Sequence, residues 1–458
     1  MALGFKMRIG EFAQAVQGRL QGQDAIVHGI TTDTRSAIEI AGTLFIALKG
    51  KRFDGHAFIT QAREQGAAAV LLEQTINDPL PQIEVRNTRI ALGQLGSYWR
   101  QRFECPVVAV TGSNGKTTVK EMIAAMLNRA GPTLVTQGNL NNDIGVPLTL
   151  LKLDTAHHFA VIEMGANRLG EIGYLSRLAC PQVAVITNAG PAHLDGFRDL
   201  SGVAQAKGEI FQGIYPEGVA VLNRDDPNFA YWRSLVSKSS VMDFGLTPSG
   251  EITADNVVIG TEGSHFSLIT PIGRTDVQLP LLGRHNILNA LAATAAAITL
   301  GLNLDQISMA LASLVPVSGR LQFRRGINGM RILDDTYNAN PASLKAALEL
   351  LNQFSGERFL VLGDFAELGA ESATLHRTMG RQARAAGVSR LYTLGHLSIC
   401  AAEAFGNRAL HFTEQQQLLA ALQKEQPADV TLLIKGSRCM HMEQIVAALC
   451  GQTCSFEN

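Results

Sequence analysis

The sequence predicts an α/β protein of three domains. Short apolar, β-branched runs alternate with helical stretches through most of its 458 residues, and this alternation is typical of parallel strands joined by helices. A chain of this length also exceeds what one hydrophobic core supports. We expect a small α/β domain at 1–102, a central parallel-sheet domain with appended antiparallel strands at 103–315, and a Rossmann-like α/β domain at 316–458.

The bulk composition argues against several classes of protein. Hydrophobic residues make up 46% of the chain and charged residues 17%, so a large disordered segment is not expected. Lysine plus arginine (39) nearly balances aspartate plus glutamate (40), which leaves no electrostatic footprint for nucleic acid or an anionic membrane surface. The six cysteines show no metal-ligand spacing and indicate reduced thiols.

No segment has the pattern of a signal peptide or a membrane span. Residues 1–10 lack an apolar core behind their basic side chains. The most hydrophobic stretch, 287–302, is alanine-rich and shorter than the ~20 residues that a span needs, so it is expected to be a buried helix. We expect a cytoplasmic, monomeric protein that inserts into no membrane.

The N-terminal domain carries one polar cluster. Helices are predicted at 7–16 and 58–65 and a buried strand at 67–72. Residues 31–36 combine hydroxyl side chains and backbone amides with Arg35, a set of donors that suits a pyrophosphate. A capped surface turn would show the same composition, so both interpretations stay open.

The central domain opens with the motif on which the functional prediction rests. A β-branched run, 107–110, leads into a glycine-containing turn and then into a helical pattern at 119–129. In this arrangement the amides of the turn and the N-terminus of the helix point at one place, which makes an anion site. The turn consists of Gly112, Ser113, Asn114, Gly115, Lys116, Thr117 and Thr118.

Two side chains of this turn give it the chemistry of a phosphate loop. Lys116 is placed to reach the outer phosphates of a nucleotide, and the Thr117 hydroxyl to join the shell of a magnesium ion. The general pattern requires a glycine where this chain has Val110, and the glycine stands at Gly112 instead. An ordinary strand-to-helix turn with a surface lysine is the alternative. We predict a P-loop domain that binds a nucleoside triphosphate.

The ends of the central strands supply further candidates. Apolar runs at 159–162, 183–186 and 219–222 extend the predicted parallel sheet, and ligands of such sheets lie beyond the carboxyl ends of the strands. Glu163 closes one run and offers a hard oxygen ligand for magnesium, while His193 follows another and could support a second ion. A helix-capping role for Glu163 and no site role for His193 are the alternatives.

The remaining elements are predicted from their pattern. Residues 252–282 alternate apolar and polar side chains, which predicts appended antiparallel strands, and Asn286 lies near the start of the alanine-rich helix. Residues 331–335 form a predicted strand that ends in two carboxylates, and Pro341 opens the next helix. Three more strand–helix pairs follow without a G-x-G-x-x-G, so no dinucleotide site is assigned.

Motifs in all three domains resemble those of the Mur ligases, the ATP-dependent amide-forming enzymes of bacterial cell-wall precursor synthesis. The T-G-S-N-G-K-T-T loop without the leading glycine is that family's own variant of the phosphate loop. Four further stretches stand in the family's order: 163–166, 187–194, 283–286 and 318–321. The resemblance implies the three-domain fold and a requirement for ATP and Mg2+.

Within that family the chain looks most like the members that add D-alanyl-D-alanine to UDP-N-acetylmuramoyl-tripeptide. Three stretches carry this likeness: 138–149, 334–341 and 363–369. The last usually has methionine where this chain has Phe365, an apolar exchange that we expect to be neutral. The Asp-Asn-Pro-Arg signature of the sibling that adds diaminopimelate is absent. The resemblance thus implies amide formation through an acyl phosphate in peptidoglycan precursor synthesis.

The resemblance also implies roles for individual residues. Lys116 and the loop amides would hold the ATP phosphates, and Arg320 would lie near the γ-phosphate. Thr117 and Glu163 would bind one magnesium ion and His193 a second. The other implied contacts are to adenine (Asn286), to ribose (Asp335) and to the UDP-sugar path (Thr34, Arg35, Asn139 and Asn142).

Lys207 resembles a lysine that family members carry as a carbamate. Reaction with carbon dioxide turns the ammonium into an anion with two oxygens, which can bind magnesium where a cation would repel it. A plain lysine in contact with a phosphate is the alternative, and the catalytic set implied is Lys116, His193, Lys207 and Arg320.

Other functions stay open at this level. The sibling ligase that adds diaminopimelate, or a folylpolyglutamate synthase, would share the loop and differ in its acceptor. A phosphotransferase would release a stable phosphate ester. A nucleotide-binding regulator is disfavoured because it would have little use for Glu163, His193 and Lys207 together.

Overall fold

The structure is a computed structural model that describes residues 6–35, 40–50, 53–191, 194–197, 199–237, 239–247, 250–424 and 429–452. Over these residues strands and helices alternate along the chain, which confirms the predicted α/β class. Three units follow one another, called here N-terminal, central and C-terminal, each organised by its own larger sheet. None of the described helices is long and apolar enough to cross a membrane.

The N-terminal unit is built around a five-stranded sheet. Its elements are β1 (Met7–Arg8), α1 (Ile9–Ala15), β2 (Arg19–Gln21), β3 (Ile26–Val27), β4 (Ile30–Thr31), β5 (Leu44–Ile46), α2 (Ile59–Glu64), β6 (Ala69–Leu72), β7 (Gln82–Glu84) and α3 (Thr88–Arg100). The sheet order is β2-β7-β6-β5-β4, with only the β2–β7 pair antiparallel. The helix predicted at 7–16 begins only at Ile9, because Met7 and Arg8 pair with β3 as a strand.

The central unit is a parallel sheet that starts with β8 (Val107–Thr111). The elements that follow are α4 (Lys116–Leu127), β9 (Thr133–Val135), α5 (Gly145–Leu150), β10 (Phe159–Glu163), α6 (Glu171–Ala179), β11 (Val183–Ile186), α7 (Leu194–Phe197), α8 (Leu200–Gly208), β12 (Val219–Asn223), α9 (Phe229–Leu235) and β13 (Ser240–Phe244). All strands are parallel in the order β13-β12-β11-β8-β10-β9. The four predicted apolar runs are the four middle strands, since strands covered on both faces must be apolar throughout.

Antiparallel strands and two helices complete the central unit, as the alternating stretch 252–282 predicts. They are β14 (Thr253–Ile259), β15 (Ser264–Thr270), β16 (Gly273–Leu279), α10 (Arg284–Thr299) and α11 (Leu304–Ala312). The alanine-rich α10 is buried along most of its length and packs against α4, the helix that follows the phosphate loop. The appended part therefore supports the loop from behind.

The C-terminal unit is a second α/β layer. Its elements are β17 (Gln322–Arg325), β18 (Arg331–Asp335), α12 (Pro341–Leu351), β19 (Glu357–Gly363), α13 (Ser372–Ala385), β20 (Arg390–Leu394), α14 (Ile399–Phe405), β21 (Ala409–Phe412), α15 (Gln415–Lys424), β22 (Val430–Lys435) and α16 (Glu443–Leu449). The order is β17-β18-β22-β19-β20-β21, with only β17 antiparallel. The last strand is thus inserted beside β18, and Pro341 opens α12 as predicted.

The first two units share one hydrophobic core, whereas the third has its own. Helix α3 packs against α5 and α6 of the central unit, and Trp99 Nε1 donates to the Leu153 carbonyl at 2.9 Å. The clusters of the C-terminal unit consist of residues from Leu321 onwards, with Leu282 as the exception. We infer that the first two units behave as one body. The predicted boundaries at 102/103 and 315/316 fall between elements and remain predictions.

Candidate active site

One large cavity lies where the three units meet. Its volume is about 1410 Å3, and its walls come from α3, from the loops above the central sheet, from α10 and from the C-terminal unit. The loops follow the carboxyl ends of parallel strands, where ligands of such sheets bind. The cavity exceeds the roughly 300–1,000 Å3 of an ordinary small-molecule site, so it can hold more than one ligand.

The phosphate loop leaves β8 in a conformation that two glycines make possible. Gly112 has a φ of +149°, and a Cβ there would collide with the Thr187 hydroxyl; Gly115 has a φ of +81° and caps α4. Both values lie in the region that favours glycine. Val110 is fully buried in β8 and pairs with Glu163 of β10. Because the strand continues past Val110, the turn and its glycine come later than in the general motif.

Lys116 folds back over the loop. Its Nζ donates to the Gly112 carbonyl at 2.8 Å and to the Ser113 carbonyl at 3.4 Å. Burial lowers the pKa of Lys116; the Glu163 carboxylate opposes this shift and the Arg320 guanidinium adds to it. The amine is therefore held at the loop by carbonyl oxygens, which a phosphate can replace as its partner.

Thr117 and Glu163 form a pair of hard oxygen ligands. The Thr117 hydroxyl donates to Glu163 Oε2 at 2.9 Å, and Asn141 Nδ2 donates to Oε1 at 2.9 Å. The Glu163 amide donates to the Thr136 hydroxyl at 3.0 Å, which fixes the end of β10. A hydroxyl and a carboxylate beside a phosphate loop suit magnesium, whose shell is usually completed by water and substrate phosphate. No described group of three or more His, Cys, Asp and Glu side chains could hold a metal by itself.

Arg320 reaches this pair from the start of the C-terminal unit. Its Nη2 donates to the Thr117 hydroxyl oxygen at 2.9 Å. The guanidinium carbon lies 4.1 Å from the centre of the Tyr337 ring, a cation–π contact. Its Nε is buried and has no hydrogen-bond partner among the described residues. The tertiary structure thus brings a fixed positive charge to the loop from a distant part of the chain.

Asp335 and Lys435 form a buried ion pair in the cavity wall. Lys435 Nζ lies 2.5 Å from Asp335 Oδ2 and donates to the Asn338 carbonyl at 3.1 Å. The two residues are register partners in β18 and β22. Burial lowers the pKa of the neighbouring His285; the Asp335 carboxylate opposes this shift and the Lys435 ammonium adds to it. The net shift favours the neutral form of the His285 imidazole.

Lys207 is a buried lysine at the end of α8. The residue is 2% exposed, and Nζ lies 5.5 Å from the centre of the Phe197 ring. Burial lowers the pKa of Lys207 to about 7; Lys116 acts in the same direction, and Glu209 and Glu171 oppose it. A large share of this amine is therefore uncharged at neutral pH.

Asn286 lies in the first turn of α10, in the cavity wall. Its Nδ2 donates to the Leu282 carbonyl at 2.8 Å, and its Oδ1 accepts from Asn289 Nδ2 at 3.0 Å. A Cβ on Gly115 would collide with the Asn289 side chain, so α10 abuts the phosphate loop directly. Both side-chain amides therefore belong to the part of the cavity wall that adjoins the phosphate loop.

The structure gathers most of the residues that the sequence singles out. Those that line the cavity are 113–118, Asn139, Asn142, Glu163, Lys207, Asn286, Arg320 and Asp335. Thr34 and Arg35 do not line it: Thr34 donates to Gln61 Oε1 at 3.1 Å, and Arg35 forms an exposed ion pair with Asp33. His193 lies outside the described residues.

Other residues of the cavity were missed from the sequence. Arg89 of α3 donates to Asp143 through two nitrogens, at 2.7 and 3.0 Å, and so ties the N-terminal unit to the central one. Tyr337 stacks on the guanidinium of Arg320. Lys435 could have been found from the sequence, because it is a cation at the end of a predicted strand, where ligands of parallel sheets bind. No local pattern marks Arg89 or Asp143.

Known protein families match each unit in turn. The family described as "Mur ligase family, catalytic domain" matches residues 26–100. "Mur ligase middle domain" matches 110–297, and "Mur ligase, glutamate ligase domain" matches 319–438. The three matches together cover most of the chain.

Individual relatives match almost from end to end. The UDP-N-acetylmuramoyl-tripeptide–D-alanyl-D-alanine ligase of Escherichia coli (strain K12) is 45% identical over 445 residues, covering 96% of this chain and 98% of the relative. The crystal structure of MurF from Acinetobacter baumannii gives a TM-score of 0.93 at 38% identity, covering 98% and 99% of the two chains. MurF ligase from Thermotoga maritima in complex with ADP gives 0.84 at 28% identity, covering 93% and 98%.

Proposed function

The chain belongs to the Mur ligase family, and we propose that it joins D-alanyl-D-alanine to UDP-N-acetylmuramoyl-tripeptide at the expense of ATP. The observation that carries the proposal is a single cavity in which the phosphate loop meets Arg320 and Asp335 of the C-terminal unit. A ligase must bring two further substrates to the γ-phosphate, and this cavity has room for them. The acceptor and the role in peptidoglycan precursor synthesis are supported by the full-length likeness to the Escherichia coli ligase.

ATP is assigned to the space between the central and C-terminal units. The amides of 113–118 and the amine of Lys116 bind the phosphates, as at other phosphate loops. Asn286 borders the adenine, Asp335 the ribose, and Arg320 the γ-phosphate. The cavity placement of these side chains and the likeness to an ADP-bound relative support the assignment.

Magnesium is assigned to Thr117 and Glu163 beside the nucleotide. Their hydroxyl and carboxylate oxygens are already 2.9 Å apart, and both border the phosphate loop. When bound there, the ion neutralises charge on the phosphate that is transferred. His193 and Lys207 are assigned to a second ion.

Lys207 is proposed to carry a carbamate. The neutral amine attacks carbon dioxide, a C–N bond forms, and one proton is released. A pKa of about 7, caused by burial, supports this role because it leaves neutral amine available at neutral pH. Protein equilibrated with 13C-bicarbonate should show one carbamate carbon signal by NMR that is missing in Lys207→Met; an unchanged spectrum would overturn the assignment.

The reaction takes place in two steps. The terminal carboxylate of the tripeptide attacks the γ-phosphorus in line, the bond to the bridging oxygen of ADP breaks, and an acyl phosphate results. The amine of D-alanyl-D-alanine then attacks the acyl carbon, loses a proton, and displaces inorganic phosphate. The tripeptide carboxylate, the γ-phosphate and the departing ADP all carry negative charge in the first step. Lys116 and Arg320 therefore act mainly by electrostatic stabilisation.

The UDP-linked substrate is assigned to the side of the cavity formed by the first two units. Asn139 and Asn142 line that side, next to the Arg89–Asp143 ion pair. Thr34 and Arg35 lie outside the cavity on the N-terminal unit, and we assign them to the distal uridine end of the same substrate.

A phosphate-release assay with a panel of acceptors tests the function. We expect ATP-dependent release with UDP-N-acetylmuramoyl-tripeptide only when D-alanyl-D-alanine is present. Release with diaminopimelate or glutamate as the acceptor would instead indicate a sibling ligase. Hydroxylamine should trap the acyl phosphate as a hydroxamate; a phosphotransferase product, being an ester, would not react.

A further inference from the structure

The side chain of Asn340 contacts two residues, one in its own helix and one in the central unit. Asn340 Oδ1 accepts from the backbone amide of Ser343 at 2.9 Å, and the backbone amide of Asn340 donates to the Ser343 hydroxyl at 3.1 Å. These two bonds form a capping box on α12. Asn340 Nδ2 donates to Asn114 Oδ1 at 2.7 Å, a residue of the phosphate loop that lies 226 positions earlier. One amide group therefore both starts a helix of the C-terminal unit and contacts the loop.

The loop end of this contact is held firmly by the central unit. The Asn114 amide donates to Asn188 Oδ1 at 3.0 Å, and its carbonyl accepts from the Thr187 hydroxyl at 2.6 Å and from Asn188 Nδ2 at 3.1 Å. With its main chain fixed, Asn114 presents its Oδ1 in a defined position. The bond from Asn340 thus joins a fixed point of the loop to a unit with a separate core.

We propose that Asn340 is a positioning residue that docks the C-terminal unit on the phosphate loop. This inference rests on the proposed function. The docked position sets where Arg320 and Asp335, both carried by the C-terminal unit, meet the nucleotide. Loss of the bond increases the undocked population, so ATP is bound less tightly and fewer bound molecules are ready to react.

Two substitutions at Asn340 separate docking from capping. Serine is about as good an N-cap as asparagine, but its hydroxyl is too short to reach Asn114. Asn340→Ser therefore keeps the start of α12 and removes the docking bond, whereas Asn340→Ala removes both. Asn303→Ser is the matched control, because Asn303 forms the same kind of capping box on α11 and does not line the cavity.

The kinetic expectation follows from the net contribution of one neutral hydrogen bond. Asn340→Ser should raise KM for ATP about threefold and lower kcat about twofold, so that kcat/KM falls about sixfold, within the roughly 2- to 12-fold range of one such bond. The melting temperature should stay unchanged, because the cap of α12 is kept. KM for UDP-N-acetylmuramoyl-tripeptide should also stay unchanged, because this substrate is assigned to the first two units, which share one core. Asn303→Ser should match wild type in every respect. If only Asn340→Ala is impaired, Asn340 is merely a cap and the proposal is overturned.

A double-mutant cycle tests the bond itself. Asn114→Ser should lower activity in the wild-type background and have little further effect in Asn340→Ser, because both changes remove the same contact. Fully additive effects would overturn the proposal. Wild-type protein that fails to release phosphate with the three substrates would instead overturn the proposed function, so the two failures are distinguishable.

Discussion

Arg320 places its Nη2 2.9 Å from the hydroxyl oxygen of Thr117, across 203 positions of sequence. The same hydroxyl donates to Glu163 Oε2 at 2.9 Å. One oxygen atom thus links an arginine of the C-terminal unit to a carboxylate of the central sheet. Because the arginine is carried by the C-terminal unit, we expect phosphoryl transfer to depend on the docking of that unit.

Arg320→Ala is expected to lower kcat about a hundredfold, because removal of one electrostatic donor to a transition state commonly costs about 3 kcal/mol. Arg320→Lys should recover little of this loss, since lysine lacks the planar fork that both stacks on Tyr337 and donates to Thr117. Steady-state kinetics measure both variants. Arg325→Ala, an exposed position on β17, is the control, and an equal loss there would argue against a specific role.

Lys116→Ala is expected to reduce turnover at least about a hundredfold while UDP-N-acetylmuramoyl-tripeptide still binds. The amine lies at the loop carbonyls, on the side of the cavity that we assign to the nucleotide, so its loss is expected to weaken phosphate binding and to leave binding of the UDP-linked substrate intact. Phosphate release measures turnover and calorimetry measures binding. A variant with a near-normal rate would show that the loop is not the ATP site.

Lys435→Met is expected to lower the free energy of unfolding by about 3–5 kcal/mol, because it leaves the Asp335 carboxylate buried without its partner. Both residues are buried, at 1% and 9% exposure, so solvent screens the pair only weakly. Asp335→Asn combined with Lys435→Met should recover much of the loss. Chemical denaturation measures the free energy of unfolding of the C-terminal unit in each variant. Equal stability of the single and double variants would contradict the expectation.

Lys207→Met is expected to stabilise the protein in a pH-dependent manner. The pKa of Lys207 is lowered by burial from its ordinary value of 10.5 to about 7. Between these values the unfolded chain binds one more proton than the folded one, so the cost of burying this lysine is largest below pH 7 and falls as pH rises. The melting temperatures of Lys207→Met and wild type, measured in carbon-dioxide-free buffer, should therefore converge as the pH rises from 6 to 10. A difference that stays constant over this range would contradict the expectation.

The hydrophobic pattern of the sequence predicted the strands of the central sheet well and the first helix of the N-terminal unit less well. The middle strands β8, β10, β11 and β12 were found within a residue, because strands buried on both faces must be apolar throughout. The helix expected at 7–16 starts late, since a two-residue strand depends on a partner elsewhere in the chain. Short pairings of this kind leave no periodic signal.

The sequence by itself determined the fold class, the phosphate loop at 112–118 and the carboxylate at Glu163, since a strand, a turn and a helix follow one another without help from distant residues. Tertiary structure alone decided that Lys435 lies beside Asp335, that Arg320 reaches Thr117 and that Asn340 reaches Asn114. These contacts depend on strand order and on the docking of one unit against another. The physical reason is that pairing between distant segments is set by packing of whole layers, which no local stretch encodes.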